Sequence, residues 1–384
     1  MKKIVFLTGT RADYGKIKSL LSISQKSKDF DVHIFVTGMH MNAIYGLTVD
    51  EIVKARFKNI FKFINHDSND SMDRILAKTI TGFSQFVNQI NPDLIIVHGD
   101  RVEALAGAIV GSLNNILVAH IEGGEVSGTV DELIRHSVSK MSHIHLVSNN
   151  EAKRRLIQLG EFDESIFVLG SPDLDLMDEK NLPSLTKAKN YYNVTFDNFS
   201  VAMFHPITTE YKKIKIYAKN FIDSLIESNI NYILIYPNND LGSEEILEEI
   251  KRLKFYKKIK VFPSLRFEYF LRFLKDSNFI IGNSSAGIRE APYYNVPTID
   301  IGSRQNKRGK FESIINCSYE KNDILSTILS LKGHDEVLKN IKSDEFHFGK
   351  GHSDKLFLEL LNSPNLWNIK HQKQFQEIIW SHEK

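Results

Sequence analysis

Three short stretches of the chain combine acidic residues with histidines or arginines within forty residues of sequence. They are His-Gly-Asp-Arg at residues 98–101, His-Ile-Glu-Gly-Gly-Glu at residues 120–125, and Asp131 with the Arg-His pair at residues 135–136. Carboxylates and imidazoles exchange protons readily, so the pattern is typical of general acid and base chemistry. A helix cap or a tight turn explains any one of these residues, but it does not require the whole group. The cluster therefore predicts an active site.

Apolar runs precede two of these stretches and predict the strands that position them. Residues 94–97 (Leu-Ile-Ile-Val) and 116–119 (Ile-Leu-Val-Ala) have the composition of buried parallel strands. In a doubly wound sheet, ligands bind just outside the carboxyl ends of the strands. The loops that begin at His98 and His120 therefore open where chemistry is expected.

The composition excludes several classes of protein. A length of 384 residues exceeds the usual size of one hydrophobic core, so we expect two domains. The 49 basic and 47 acidic residues leave a formal net charge of +2, which argues against a nucleic acid partner. The single cysteine, Cys317, excludes an internal disulfide and a cysteine-rich metal site. The first apolar run is too short for a signal peptide and no run of about 18 apolar residues occurs, so we expect a cytoplasmic protein without a membrane segment.

Strand-like and helical patterns alternate along the chain, which predicts α/β architecture with parallel sheets and helices on both faces. A polar stretch with Pro183 separates two series of strands, so we expect two Rossmann-like domains, at residues 1–175 and 176–364, that face each other across a cleft. The predicted strands are residues 3–8, 32–37, 94–98, 116–120, 143–147 and 166–169, then 200–205, 231–236, 259–262, 279–281 and 298–301.

The carboxyl end carries apolar residues at a helical spacing. Phe375, Ile378 and Ile379 would share one helix face, and Pro364 suits an early helical position. We therefore predict a docking helix at residues 365–384.

Two strand-to-helix turns are candidates for phosphate binding. At residues 8–16, small residues permit close backbone approach while Arg11 and Lys16 supply positive charge. The spacing there is not that of a dinucleotide site or a P-loop, which disfavours a nicotinamide enzyme and a P-loop ATPase. At residues 282–292, backbone amides and the hydroxyls of Ser284 and Ser285 meet at a predicted helix start, although a capped turn with Ser284 as N-cap is the simpler alternative.

Two further loops begin where strands of the second half end. One contains His205, and the other, at residues 236–242, contains Asn239. A structural histidine and ordinary turn chemistry would also explain them. Because both are expected opposite a phosphate loop, we add them to the candidate site.

Six ordered motifs, at residues 9–13, 36–40, 98–101, 120–125, 204–206 and 282–287, closely resemble those of the bacterial hydrolysing UDP-N-acetylglucosamine 2-epimerases, which supply N-acetylmannosamine for sialic acid synthesis. The motifs of non-hydrolysing relatives instead look like Thr-Gly-Gln-His-Arg-Glu after the second strand and His-Val-Glu-Ala-Gly-Leu-Arg in place of the Glu122 motif. This chain departs from them at both places. The resemblance covers nearly the whole chain.

The resemblance implies a GT-B fold whose carboxyl-terminal domain binds the nucleotide, a UDP-sugar substrate, no cofactor or metal, and a homodimer or homotetramer. It places catalytic acids on Asp100, Glu122 and Asp131. Orienting roles are expected for His98, Arg101, His120, Arg135 and His136. The implied phosphate contacts are Arg11, His205, Ser284, Ser285 and Gly287, with the ribose at Glu290 and the base near Arg266.

The expected reaction is elimination of UDP to 2-acetamidoglucal, followed by hydration to N-acetylmannosamine. Hydrolysing 2-epimerases of legionaminic acid synthesis, which take a nucleotide-linked 2,4-diacetamido-2,4,6-trideoxyglucose, resemble the chain in most of the same motifs. The segment after Ser285 is more similar to the sialic acid branch. A GT-B glycosyltransferase and a catalytically silent nucleotide-sugar sensor are the remaining alternatives, and the acid cluster argues against both.

Overall fold

The computed structural model describes residues 1–67, 70–127, 130–305, 312–331, 349 and 351–377. The chain forms two compact units. Unit 1 comprises Met1–Glu125, Asp131–Leu176 and Phe346–Lys384, and unit 2 comprises Val126–Val130 and Met177–Glu345. Among the described residues, no helix is both long and apolar enough to cross a membrane.

Unit 1 is built on a parallel sheet of seven strands in the order β3-β2-β1-β4-β5-β6-β7. Its strands are β1 (Lys2–Thr8), β2 (Phe30–Val36), β3 (Asn59–Lys62), β4 (Leu94–His98), β5 (Leu117–Ile121), β6 (Ile144–Val147) and β7 (Ile166–Val168). Its helices are α1 (Arg11–Lys26), α2 (Val49–Lys54), α3 (Met72–Ile90), α4 (Val102–Leu113), α5 (Val130–Met141), α6 (Asn150–Gln158), α7 (Leu174–Met177), α14 (Ser353–Asn362) and α15 (Pro364–Trp367).

Unit 2 is built on a second parallel sheet, in the order β10-β9-β8-β11-β12-β13. Its strands are β8 (Ser200–Met203), β9 (Tyr232–Ile235), β10 (Ile259–Phe262), β11 (Ile280–Gly282), β12 (Thr298–Ile301) and β13 (Ile314–Cys317). Its helices are α8 (Leu185–Tyr192), α9 (Ile214–Ser228), α10 (Ser243–Lys251), α11 (Phe267–Lys275), α12 (Ala286–Tyr293) and α13 (Lys321–Leu331).

Each sheet has a point at which its strand order reverses, and the candidate motifs lie there. In unit 1 the reversal falls between β1 and β4, so the loops after Thr8 and His98 leave the same sheet edge side by side. In unit 2 it falls between β8 and β11, where Met203 pairs with Gly282. Ligands of doubly wound sheets bind at such switch points.

Every predicted strand is present, and two strands were missed. β3 (Asn-Ile-Phe-Lys) and β13 (Ile-Ile-Asn-Cys) are four-residue edge strands whose side chains are mostly half-buried or exposed. Their short, mixed sequences lack the continuous apolar run of a central strand, and only pairing with β2 and β12 makes them strands.

The chain returns to unit 1 at its carboxyl end, which differs from the predicted extent of the second domain. Phe357 of α14 is buried in the core of unit 1 and packs edge-on against Phe6 of β1. Residues 353–364 therefore belong with the first unit, because their apolar face is buried there.

The predicted docking helix at residues 365–384 was wrong over its described part. α15 ends at Trp367, and residues 368–377 are not helical. Phe375 is 64% exposed, so it does not form a buried helix face, and Ile378 and Ile379 lie outside the described residues. This segment is held instead by hydrogen bonds from its polar residues.

Candidate active site

The loop after β5 holds Glu122 in a conformation that L-residues rarely adopt. Its φ is +72°, in the left-handed region, and its backbone N–H donates to the Leu146 carbonyl at 3.1 Å. The side chain is buried, with Oε2 3.0 Å from Nε2 of His98 at the end of β4. A strained backbone that presents a buried carboxylate is a common feature of functional sites.

A lysine from the first helix also faces Glu122. Nζ of Lys16 lies 3.8 Å from Oε2 of Glu122 and 3.9 Å from Oδ2 of Asp173, and all three side chains are largely buried. The sequence suggested Lys16 only as a charge near a phosphate loop and gave no reason to consider Asp173. These residues are distant in sequence, so only the tertiary fold brings them together.

Arg135 lies at the centre of the predicted acid cluster. It projects from α5, is fully buried, forms an ion pair with Asp100, and donates a long hydrogen bond to the carbonyl of Glu125. Burial disfavours its charge, but the carboxylates of Asp100, Glu122, Glu125 and Asp131 outweigh burial and raise the Arg135 pKa. The structure thus gathers all three predicted acids around one permanent cation.

His120 has a positioning geometry rather than that of a proton carrier. Its Nε2 lies 2.8 Å from the carbonyl of Gly99, so Nε2 must carry the proton, and Nδ1 then accepts from the hydroxyl of Ser139 at 2.9 Å. Burial lowers the pKa of His120 to about 3, so the ring is neutral at physiological pH. His120 therefore ties the loop that carries Asp100 to helix α5.

The loop after β1 is organised by Asp13. Thr10 and Asp13 form a capping box at the start of α1, and the carboxylate also accepts from the Gly9 amide at 2.9 Å and from the hydroxyl of Thr8. Burial raises the pKa of Asp13 in spite of these hydrogen bonds. Arg11, a predicted phosphate contact, forms an ion pair with Glu51 of α2.

Two predicted orienting residues have carboxylate partners other than the three predicted acids. Nε of Arg101 lies 3.6 Å from a carboxylate oxygen of Glu103, on the first turn of α4. His136 is about one-third exposed and faces Glu132, one helical turn back, at 3.6 Å. Helical spacing explains the second pair without any catalytic role.

In unit 2, the turn after β11 is locked to the loop after β8. The amide of Asn283 donates to the carbonyl of His205 at 2.9 Å and accepts the His205 backbone N–H at 2.6 Å. The Asn238 N–H donates to Nδ1 of His205 at 3.0 Å. Neutral His205 therefore carries its proton on Nε2, where it can donate to an anion.

The Ser284-Ser285 turn leads into α12 as the sequence indicated. Gly282 has a φ of +135°, and a Cβ there would lie 1.8 Å from the carbonyl oxygen of Met203, so glycine is required. Ser285 is the N-cap residue of α12, in place of the expected alternative of Ser284, and its side chain makes no capping hydrogen bond. Both hydroxyls stand at the positive end of the helix dipole.

The other predicted contacts of unit 2 are Glu290, Gly287, Asn239 and Arg266, and they differ in burial. Glu290 is buried in α12, whereas a Cβ on Gly287 would collide with Thr298, so this glycine serves close packing of α12 on β12. Asn239 lies in the turn after β9. Arg266 precedes α11 and lies over the Tyr269 ring at 5.5 Å.

Two successive parallel-sheet α/β units, each with polar loops at its switch point, define a protein of the GT-B-like class. The solved structure of the Methanocaldococcus jannaschii UDP-GlcNAc 2-epimerase in complex with UDP-GlcNAc and UDP has this fold. It aligns with a TM-score of 0.77 and 22% identity, over 94% of this chain and 99% of that one.

A family model described as UDP-N-acetylglucosamine 2-epimerase matches residues 23–362, and the chain belongs to that family. The chain is 47% identical over 379 residues to the UDP-N-acetylglucosamine 2-epimerase of Neisseria meningitidis serogroup B, across 98% of this chain and 100% of the relative. It is 36% identical over 336 residues to the UDP-N,N'-diacetylbacillosamine 2-epimerase (hydrolyzing) of Legionella pneumophila, across 85% of this chain and 88% of the relative.

Proposed function

We propose that this protein is a hydrolysing UDP-N-acetylglucosamine 2-epimerase that converts UDP-N-acetylglucosamine and water to N-acetylmannosamine and UDP for sialic acid synthesis. The observation that carries the proposal is the ion pair of Asp100 with the buried Arg135 beside the buried contact of Glu122 with His98, in a chain 47% identical to an epimerase of that substrate. Nothing in this reaction is oxidised or reduced overall, so it requires no redox cofactor.

Unit 2 binds the nucleotide in this proposal. The helix start at Ser284 and Ser285, together with Nε2–H of His205, offers hydrogen-bond donors to a diphosphate. Glu290 is assigned to the ribose and Arg266 and Asn239 to the rest of the nucleotide. Arg11 of unit 1 is a further phosphate contact, in exchange for its ion pair with Glu51.

The first half-reaction is an elimination. The bond from C1 to the UDP oxygen breaks, a base removes the proton from C2, and the electron pair of the C2–H bond forms the C1–C2 double bond of 2-acetamidoglucal. The C2 proton becomes more acidic as the leaving group departs, so charge must be stabilised at C1 and at the diphosphate. UDP leaves with both electrons of the broken bond.

The carboxylates divide this work according to their neighbours. Asp100 is paired with the cation of Arg135, which suits an anion that stabilises positive charge at C1. Glu122 contacts His98, a group that can share a proton, and this suits proton exchange at C2. In the second half-reaction, water adds to C1 and a proton returns to C2 from the opposite face, with Asp131 as the second proton carrier.

A diacetamido-trideoxy nucleotide sugar is the second candidate substrate. The specific observation in its favour is the 36% identity to the Legionella pneumophila enzyme over most of both chains. The higher identity to the Neisseria meningitidis enzyme, over the full length of that relative, favours UDP-N-acetylglucosamine.

Proton NMR in deuterated water, with EDTA present, tests the proposal. UDP-N-acetylglucosamine should yield UDP and N-acetylmannosamine with deuterium at C2, because the returned proton comes from solvent. Turnover of only the 2,4-diacetamido nucleotide sugar would assign the enzyme to the legionaminic branch. No turnover of either sugar would overturn the epimerase proposal, and loss of turnover on adding EDTA would overturn the metal-free reaction.

The assembly and location are also proposals. We propose a homodimer or homotetramer, which multi-angle light scattering of the purified chain would test. We propose a cytoplasmic enzyme because its nucleotide-sugar substrate is a biosynthetic intermediate, and fractionation of expressing cells would test this.

A further inference from the structure

A segment far from the candidate acids in sequence lies against the elements that carry them. Residues 371–376, which we name the C-terminal strap, follow α15 and run along unit 1 without helical structure. Nδ1 of His371 donates to the Asn115 carbonyl at 2.6 Å, and the Gln376 N–H donates to the Gly160 carbonyl at 3.1 Å. These bonds fix the strap at both of its ends.

Lys373, in the middle of the strap, caps the carboxyl end of α5. Its Nζ donates to three carbonyls at the end of that helix, those of Ser139 at 3.1 Å, Lys140 at 2.9 Å and Ser142 at 2.6 Å. The last carbonyls of a helix have no partner within the helix, and a cation is stabilised at that end. One ammonium group thus donates to three carbonyls at this helix end, of which that of Ser139 also accepts from the Ser142 N–H at 3.1 Å.

A buried carboxylate holds the Lys373 ammonium in place. Oε2 of Glu161 lies 2.5 Å from Nζ of Lys373 and 3.0 Å from Nε2 of His145 on β6, while Oε1 lies 3.0 Å from Nζ of Lys140. Burial acts against the charge of Glu161, but His145 and Lys373 outweigh it and lower the Glu161 pKa to about 2. The strap, α5 and β6 are therefore joined through one anion.

Helix α5 connects this cap to the catalytic loops. Ser139 accepts from Lys373 through its carbonyl and donates through its hydroxyl to Nδ1 of His120, whose Nε2–H bonds to the carbonyl of Gly99 beside Asp100. One turn earlier on the same helix, Arg135 pairs with Asp100. A shift of the helix end would move both of these supports.

We propose that Lys373 is a positioning residue for the epimerase reaction: by capping α5 it holds Arg135 and Ser139 where they orient Asp100. The inference rests on the proposed function. It assigns to the strap a role in the chemical step and not in nucleotide binding, which lies in unit 2.

The test compares Lys373→Met with Lys370→Met, a neighbouring lysine that is exposed in the same tail. The Lys373→Met variant should lower kcat by at least about tenfold and leave KM for UDP-N-acetylglucosamine within about twofold, because an interaction that matters only for the chemical step was removed. Lys370→Met should match the wild type. Lys373→Arg should recover part of kcat, because a guanidinium keeps the charge and several donors.

A double-mutant cycle tests the route through α5. Ser139→Ala removes the hydroxyl bond to His120 and, as a small change, also serves if Lys373→Met does not fold. It should lower kcat with little change in KM, and the combined variant should lose less than the product of the single losses, because both act on one path. Multiplicative losses, or an unchanged kcat in either folded single variant, would overturn the proposal.

Hydrogen exchange separates this inference from the proposed function, because it needs no turnover. Amides of α5 in Lys373→Met should exchange at least about tenfold faster than in the wild type, while α3 amides stay unchanged, because only α5 loses its cap. Equal exchange of α5 would refute the capping role even in an active enzyme. Loss of wild-type turnover with the expected exchange difference would refute only the epimerase proposal.

Discussion

The left-handed backbone at Glu122 lowers the stability of the fold, while its carboxylate is proposed to take part in catalysis. An L-residue in that region costs about 1–2 kcal/mol, and glycine does not bear this cost. Glycine in turn loses about 0.5–1 kcal/mol against alanine through the entropy of the unfolded chain. Since both Glu122→Ala and Glu122→Gly remove the contacts with His98 and Lys16, those losses cancel, and the glycine variant should be more stable by about 0–1.5 kcal/mol.

Urea unfolding followed by tryptophan fluorescence measures this difference in unit 1, because neither tryptophan lies in the sequence range of unit 2. Glu132 provides the matched control, because it lies in the first turn of helix α5 and not in a left-handed conformation. There the glycine variant should be less stable than the alanine variant by up to about 1 kcal/mol. An alanine variant at Glu122 that is more stable than the glycine variant would refute strain at this position.

The glycine variant should gain no activity from its greater stability. Both Glu122 variants, and the isosteric Glu122→Gln, should lower kcat by about 10²–10⁴-fold, because a proton carrier was removed. A Glu122→Gln enzyme with wild-type kcat would exclude proton transfer by this residue. A glutamate at this position carries the free-energy cost of a left-handed backbone, which is expected where function and not stability determines the residue type.

Three further outcomes are expected. Arg135→Met should destabilise unit 1 by about 3–5 kcal/mol in urea unfolding, because it leaves Asp100 without its buried partner. If Arg135→Met lost less stability than Arg135→Lys, which keeps a positive charge, this reasoning would be contradicted. Ser284→Ala and Ser285→Ala should each weaken UDP binding by about tenfold or more in calorimetry, because a hydroxyl bond to a charged group was lost; unchanged binding would remove the turn from the nucleotide site. Burial lowers the pKa of His40 to about 3 in the folded state, compared with 6.5 for an exposed histidine. Below pH 6.5 the unfolded chain therefore takes up a proton that the folded chain does not, and the folded state loses stability as pH falls. Between pH 6 and 4, wild-type stability should therefore drop by about 1.4 kcal/mol per pH unit more than that of His40→Gln, and equal slopes would exclude a neutral buried His40.

The sequence determined the sheets and the location of the candidate site. Continuous apolar runs at β4 and β5 allow little but buried parallel strands, and the polar residues that follow them must then lie at one sheet edge. The strand-to-helix turn at residues 282–292 was also predicted, because small and hydroxyl residues follow an apolar run there. Local chemistry and periodicity suffice for features of this kind.

Only the tertiary structure decided which groups contact one another. Lys16 meets Asp173 and Lys373 meets α5 across long sequence separations, and no local pattern encodes such pairs. Residues 371–376 form the C-terminal strap, because their hydrogen bonds to the ends of other elements replace those of a helix. Burial of Arg135 likewise follows from packing of the whole unit, and the carboxylates gathered there outweigh burial and keep this side chain charged.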